Sequence, residues 1–223
     1  MSLVANKTKF KELSKIVRGV VCYNEPMANH TSFKVGGPAE TLIIPYESED
    51  IYNILKFSKE NDIPINVIGA GTNLLVSDKG VKGIVIKINS PYENISFSGE
   101  RVKVSAGVKI SKLLYECMNR NLSGLEFLTG IPGTVGGAIC MNAGIGTHSI
   151  SMFFLKGSVI DMDTLDVKEL SHKDFSFDYR WSVIQKSKKI ILDAVFGLKE
   201  GEFSEISEKV KILQDKRLKT QPL

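Results

Sequence analysis

Residues 124–144, GLEFLTGIPGTVGGAICMNAG, place six glycines in 21 positions, with Pro132 and Asn142 among them. A residue without a side chain lets backbone approach a ligand closely and tolerates positive φ. Successive free N–H groups in such a run form a concavity that suits phosphate. Working outward, a second loop, Gly69-Ala70-Gly71-Thr72-Asn73, follows the apolar stretch Ile65–Ile68. Two such loops in one chain imply one extended anionic ligand, gripped at more than one place. Neither loop is a standard nucleotide motif. Leu74 stands where a Rossmann fingerprint needs its third glycine, and no Gly-Lys-Ser/Thr of a P-loop follows either loop.

The bulk properties narrow the classes. The chain has 223 residues, 43% hydrophobic and 24% charged, the balance of a soluble globular protein with one large or two small domains. A net charge of +4 favours an anionic ligand and is too small to argue for nucleic acid. Cys22, Cys117 and Cys140 are far apart and odd in number, which argues for a reducing compartment and against a disulfide scaffold. His30, His148 and His172 share no metal-ligand spacing, so no metal is expected. No apolar run approaches the ~18 residues that span a bilayer, and the N-terminus has no signal-peptide core. The expectation is a cytoplasmic monomer without membrane or nucleic-acid partners.

Periodicity outlines the elements. The spacing predicts a helix over 7–18, a strand over 40–46, and a helix capped by Ser48 with Ile51, Ile54, Leu55 and Ser58 on one face. Strands at 65–68 and 83–88 complete a βαβ-like unit. A polar stretch over 91–99 sets a boundary between lobes 1–90 and 91–223. Beyond it come a half-buried strand at 101–106 and a helix capped by Ser111, with Leu113, Leu114, Cys117, Met118 and Leu122 inward. Strands follow at 156–162 and 166–170, joined by a turn at 163–166, and another at 190–198. A last helix over 203–218 aligns Ile206, Val210, Leu213 and Arg217; acids near its start and bases near its end suit the helix dipole. The class is α+β.

One further segment carries chemistry. In Phe175-Ser176-Phe177-Asp178-Tyr179-Arg180, the arginine offers a bidentate fork to a carboxylate or phosphate. The stretch from Asn29 to Glu40, NHTSFKVGGPAE, adds a third glycine-bearing signature. Together with 69–76, 124–144 and Phe177-x-Tyr179-Arg180, in this order and spacing, it resembles the UDP-N-acetylenolpyruvoylglucosamine reductases, flavoenzymes of peptidoglycan precursor synthesis. The resemblance covers about residues 27–223.

That resemblance implies FAD bound by two α+β lobes of the vanillyl-alcohol oxidase (PCMH) type, NADPH as hydride donor, and an enolpyruvyl nucleotide sugar as substrate. It implies cofactor contacts from Gly69, Ala70, Gly71, Thr72, Asn73 and Leu74, and from Ile131, Pro132, Gly133, Thr134, Gly136, Gly137, Asn142 and Gly144. Arg180 would bind the enolpyruvyl carboxylate and stabilise charge developing there; Tyr179 and Lys219 would contact substrate. There are departures. Trp181 stands where an acidic residue usually follows, and Ile145-Gly146-Thr147-His148 replaces the family's usual Tyr-Gly pair. The chain reaches Gln221-Pro222-Leu223 before the family's proton-donating serine, so its third, substrate domain is expected to be absent. The chain alone is then not expected to complete the reductase cycle. Two other readings stay open: a non-catalytic flavin-binding module, and a nucleotide-sugar binder without flavin.

Overall fold

The computed structural model describes residues 3–89 and 94–220. It divides into two units, Met1–Tyr92 with Ile160–Asp166, and Glu93–Val159 with Val167–Leu223. The boundary expected at 90/91 and the terminal Gln-Pro-Leu lie outside the described residues.

The first unit begins with α1 (Leu3–Ile16), β1 (Val20–Pro26) and β2 (Pro38–Ile44). Then come α2 (Ser48–Asn61), β3 (Ile65–Ile68) and β4 (Val81–Lys87). The strands form one sheet in the order β1-β2-β4-β3. β1 is antiparallel to β2, and β4 is parallel to both β2 and β3. Parallel neighbours need a long crossover; α2 supplies it between β2 and β3, with β4 inserted between them. Its face of Ile51, Ile54, Leu55 and Ser58 is buried, as the spacing requires.

Three details differ from the sequence reading. α1 starts at Leu3 and stops at Ile16, earlier at both ends than 7–18. β1 was not anticipated, because its half-exposed pattern and terminal Pro26 hide the period of a strand. Ser48 is the first helical residue and not the cap; Glu47 holds the cap position without a side-chain bond. Asp50 ties this corner together. Its buried carboxylate accepts the amides of Arg18 (2.8 Å), Gly19 (2.9 Å) and Tyr46 (2.7 Å), which satisfies donors that two connections would otherwise bury unpaired.

The second unit contains β5 (Ile95–Ser98), β6 (Arg101–Ser105), α3 (Ile110–Met118) and β7 (Leu122–Ser123). Next are α4 (Val135–Cys140), β8 (Gly144–Ile145), β9 (His148–Ser149) and β10 (Phe154–Asp161), the last two residues of which are counted with the first unit. β11 (Val167–Ser171), β12 (Lys189–Gly197), β13 (Lys199–Glu200) and α5 (Phe203–Thr220) complete it. Its main sheet has the order β11-β10-β12-β6-β5. Val102, Val104, Ala194 and Phe196 are buried on paired strands β6 and β12.

Ser111 is the second residue of α3 and Lys109 its cap, so the predicted cap is displaced by two residues. Leu113 and Cys117 are buried as expected, but Leu122 is buried from β7, not from the helix. The glycine run is not all loop. α4 lies inside it, hidden by the low helix propensity of Gly136 and Gly137. On α5 the expected stripe is present, with Ile206 buried and Val210, Leu213 and Arg217 half-buried.

Candidate functional site

The first glycine loop leaves the C-terminal end of β3 in the first unit. Gly71 is buried with φ +71°, and a Cβ there would sit 1.9 Å from the His30 carbonyl oxygen. The Gly71 carbonyl in turn accepts the Ser32 amide at 3.1 Å. The loop is therefore stapled to the 30–32 segment, which only a glycine permits. Behind it, Gly37 donates to the Ser77 carbonyl at 2.9 Å, and a Cβ at Gly37 would meet the Asp78 oxygen at 2.0 Å. The 29–40 signature thus acts as the seat of the first loop.

The loop's own donors are open. The amides of Gly69, Ala70, Gly71, Asn73 and Leu74 have no acceptor among the described residues. Gly69 and Ala70 are half-buried and Gly71 is buried, so these donors do not simply face bulk water. Buried backbone donors are nearly always paired; a cradle of unpaired ones has the form of an anion site.

The second loop, in the second unit, is arranged differently. Ile131 donates to the Leu128 carbonyl, Val135 to Val108 and Gly136 to Ala106, each at 2.9 Å. A Cβ at Gly136 would meet the Ala106 Cβ at 2.9 Å, so this glycine is required by packing. Gly137 donates to the capping hydroxyl of Thr134 at 3.4 Å. The amides of Gly133 and Thr134 have no acceptor among the described residues. Gly133 has φ +133°. Gly137 is exposed, with room for a Cβ.

The end of the same run is joined to the arginine segment. Asn142, buried with φ +42°, donates through Nδ2 to the Asp178 carbonyl (2.8 Å) and accepts the Ser151 amide (3.3 Å). Ser182 and Gln185 both donate to the Cys140 carbonyl, at 2.8 and 3.0 Å. Asp178 and Trp181 exchange both backbone bonds, so Tyr179 and Arg180 are the two tip residues of a tight turn. Arg180 has φ +53°, at a turn position that favours glycine. Its Nη2 donates to the Gly144 carbonyl at 2.6 Å. It has no carboxylate partner among the described residues. Tyr179 beside it is 84% exposed. Strain of this kind, about 1–3 kcal/mol, persists where the surroundings over-determine it and clusters at functional sites.

The remaining residues are quickly placed. Gly144 cannot carry a Cβ because the His148 carbonyl would lie at 2.0 Å, so it serves the β8–β9 pair. Pro132 is exposed, and Lys219 is exposed near the end of α5. Cys140 is half-buried, and burial raises its pKa, which suits an unreactive thiol. No group of His, Cys, Asp and Glu able to hold a metal ion occurs among the described residues, and no helix is long and apolar enough to cross a membrane. The sequence assigns no task to Glu25, His30 or Lys87. His30 lies in the 29–40 signature and Lys87 ends a correctly placed strand, but only their contacts single them out.

Comparison with known proteins bears on this geometry. A family described as an FAD binding domain matches residues 39–167. The UDP-N-acetylenolpyruvoylglucosamine reductase of Alkaliphilus oremlandii (strain OhILAs) is 41% identical over 215 residues, 96% of this chain and 70% of that protein. That of Bacillus subtilis (strain 168) is 37% identical over 223 residues, 100% of this chain and 72% of the relative. The crystal structure of the reductase from Thermus caldophilus superposes with a TM-score of 0.78 at 29% identity, covering 92% of this chain and 71% of that one. 6-Hydroxy-D-nicotine oxidase from Arthrobacter nicotinovorans, at TM-score 0.65 and 18% identity over 82% of this chain and 43% of its own, shares the fold alone.

Proposed function

This chain belongs to the UDP-N-acetylenolpyruvoylglucosamine reductase family, and we propose that its two glycine loops hold FAD while Arg180 receives the enolpyruvyl substrate. The fold is the FAD-binding fold of the vanillyl-alcohol oxidase type, and the activity is that of an oxidoreductase using FAD and NADPH. When bound, FAD supplies the redox chemistry that converts UDP-N-acetylglucosamine enolpyruvate to UDP-N-acetylmuramate with electrons from NADPH.

The chain's own residues bind and orient. The open amides of 69–74 fit a diphosphate. In the second loop the donors left for a ligand are those of Gly133 and Thr134, while Ile131 and Gly136 keep the loop in shape. Gly144 and Asn142 act through the Arg180 turn that they anchor. A fixed guanidinium without a carboxylate partner is suited to grip a substrate carboxylate and to stabilise charge developing on it. Exposed Tyr179 flanks that carboxylate, and Lys219 contacts the substrate diphosphate. A monomer working in the cytoplasm, without nucleic acid, agrees with three free cysteines and a mild charge of +4.

The observation that carries this reading is the set of five amides in the first loop without an acceptor among the described residues. The test is a flavin titration of the purified chain followed by absorbance. One-to-one, saturable uptake of FAD is expected, and a chain that takes up no flavin defeats the reading.

A further inference from the structure

Next to the first glycine loop, three titratable side chains form a connected row: Glu25 from β1, His30 from the 3-10 turn Met27–His30, and Lys87 at the end of β4. Glu25 Oε1 lies 3.1 Å from His30 Nε2 and accepts Asn29 Nδ2 at 3.2 Å. His30 Nδ1 lies 3.0 Å from Lys87 Nζ. A carboxylate only accepts and an ammonium only donates. The order of partners therefore sets the imidazole: Nε2–H donates to Glu25, and Nδ1 accepts from Lys87. In that arrangement the imidazole, held by Glu25, aims the ammonium.

Two members of the row border the loop's backbone. The His30 carbonyl is the atom that a Cβ on Gly71 would strike. Lys87 is the ladder partner of Ile68, the residue before Gly69. An ammonium has three N–H donors, and Lys87 uses one of them among the described residues. The side chain is half-buried, and burial lowers its pKa. A partly desolvated cation with open donors is costly unless an anion meets it. The adjacent cradle of neutral amides binds phosphate but contributes no formal charge of its own.

We propose that Lys87 is a cationic ligand for the phosphates received by the first glycine loop, and that His30, held by Glu25, is the positioning residue that aims it. The inference rests on the flavin reading above and adds a charged contact to it. Hydrogen bonds to charged groups are worth more than neutral ones.

The test is FAD titration of the whole chain, wild type against Lys87→Met, Lys87→Arg, His30→Ala and the His30→Ala/Lys87→Met double variant. Lys87→Met is expected to weaken FAD binding on the order of 10–100-fold, and to make the affinity less sensitive to salt. Lys87→Arg keeps the charge and restores part of the affinity. The ligand-free thermal midpoint of Lys87→Met stays level or rises, because a desolvated charge is gone. His30→Ala weakens binding less, and its effect disappears in the Lys87→Met background; a merely structural His30 would act equally in both. Unchanged affinity in Lys87→Met, or a loss that Lys87→Arg does not partly restore, overturns the proposal for Lys87. Additive losses overturn the positioning role of His30. Failure of the wild-type chain to bind FAD overturns the flavin reading and this inference with it, whereas uptake unaffected by Lys87→Met overturns the inference alone.

Discussion

The two glycine loops look alike as sequence and differ in what their glycines are for. In 69–74, Gly71 lets backbone pass against the His30 carbonyl, and five amides are left open among the described residues. In 131–137, Gly136 packs on Ala106 and donates to its carbonyl, and two amides are left open among the described residues. The first loop is a cradle; the second is mostly a joint that connects α3, α4 and the turn bearing Arg180. Glycine content therefore marks close approach, and the hydrogen-bond ledger decides whether ligand or neighbouring backbone is what approaches.

The largest expected effect lies at the far end of that joint. In a version of the chain that also carries the family's substrate domain, Arg180→Ala should lower NADPH turnover dependent on the enolpyruvyl nucleotide sugar by about 10²–10³-fold, the typical loss of one preorganised donor at a developing anion. FAD affinity should stay within about twofold, on the same premise that charge stabilisation in the transition state is separate from cofactor binding. Steady-state kinetics and flavin titration, run in parallel, check the split. A comparable loss of FAD would move Arg180 to the cofactor side and give the second loop the same task as the first.

A smaller set of effects separates the loops directly. Gly71→Val adds a Cβ against the His30 oxygen at positive φ and should remove FAD uptake with a destabilisation of about 1–3 kcal/mol. Gly136→Val should act chiefly on stability, by overpacking Ala106 at a cost of about 1–3 kcal/mol. Gly137→Ala is the sharper probe. The site is helical and exposed and has room for a Cβ, so alanine should stabilise by roughly 0.5–1 kcal/mol. Thermal melts and flavin titrations read both quantities. If Gly137→Ala stabilises the fold yet weakens FAD, the second loop also meets its ligand closely at that point.

Much of this was legible in the sequence, for identifiable reasons. Period-3.6 faces announced α2 and α5 because their apolar residues contact one side only. The order of four motifs announced the family. The helix inside 135–140 was not legible, since Gly136 and Gly137 argue against a helix that is held by the Thr134 cap and by packing. Nor were the caps: Ser48 and Ser111 have the right chemistry, but Asp50 meets the donors of one corner and no side-chain cap bond forms at the other. The tasks of Asn142 and Gly144 depend on Asp178 and Arg180, 36 residues onward in each case, and local spacing carries no such information. The Glu25–His30–Lys87 row joins three elements for the same reason.

The last effect concerns pH and places a different limit on each loop. Around the first loop, the amide of Asn29, with some help from His30, holds the Glu25 carboxyl below its ordinary range. A depressed carboxyl contributes stability that is present above its unfolded value and lost as pH falls through the folded one, so this contribution fails on the acid side. The second loop leans on α3, whose first residue, Ile110, donates to the Gly133 carbonyl at 3.1 Å. There burial pushes the Cys117 thiol up to about 12 from an ordinary 9.0. A raised thiol keeps its proton in the folded state after the unfolded chain has released one. That contribution is whole below pH 9.0 and is lost as pH rises from there toward about 12, by at most about 1.4 kcal/mol per pH unit. Cys117→Ala should therefore flatten the alkaline loss of stability, whatever its packing cost at neutral pH. Trp181, the single tryptophan, lies in the second unit and reports on it by fluorescence. Denaturant melts of wild type and Cys117→Ala at pH 8.5 and 10 should show a smaller drop for the variant. Equal drops would mean that α3 opens before the thiol titrates, and that the second loop's alkaline limit lies elsewhere.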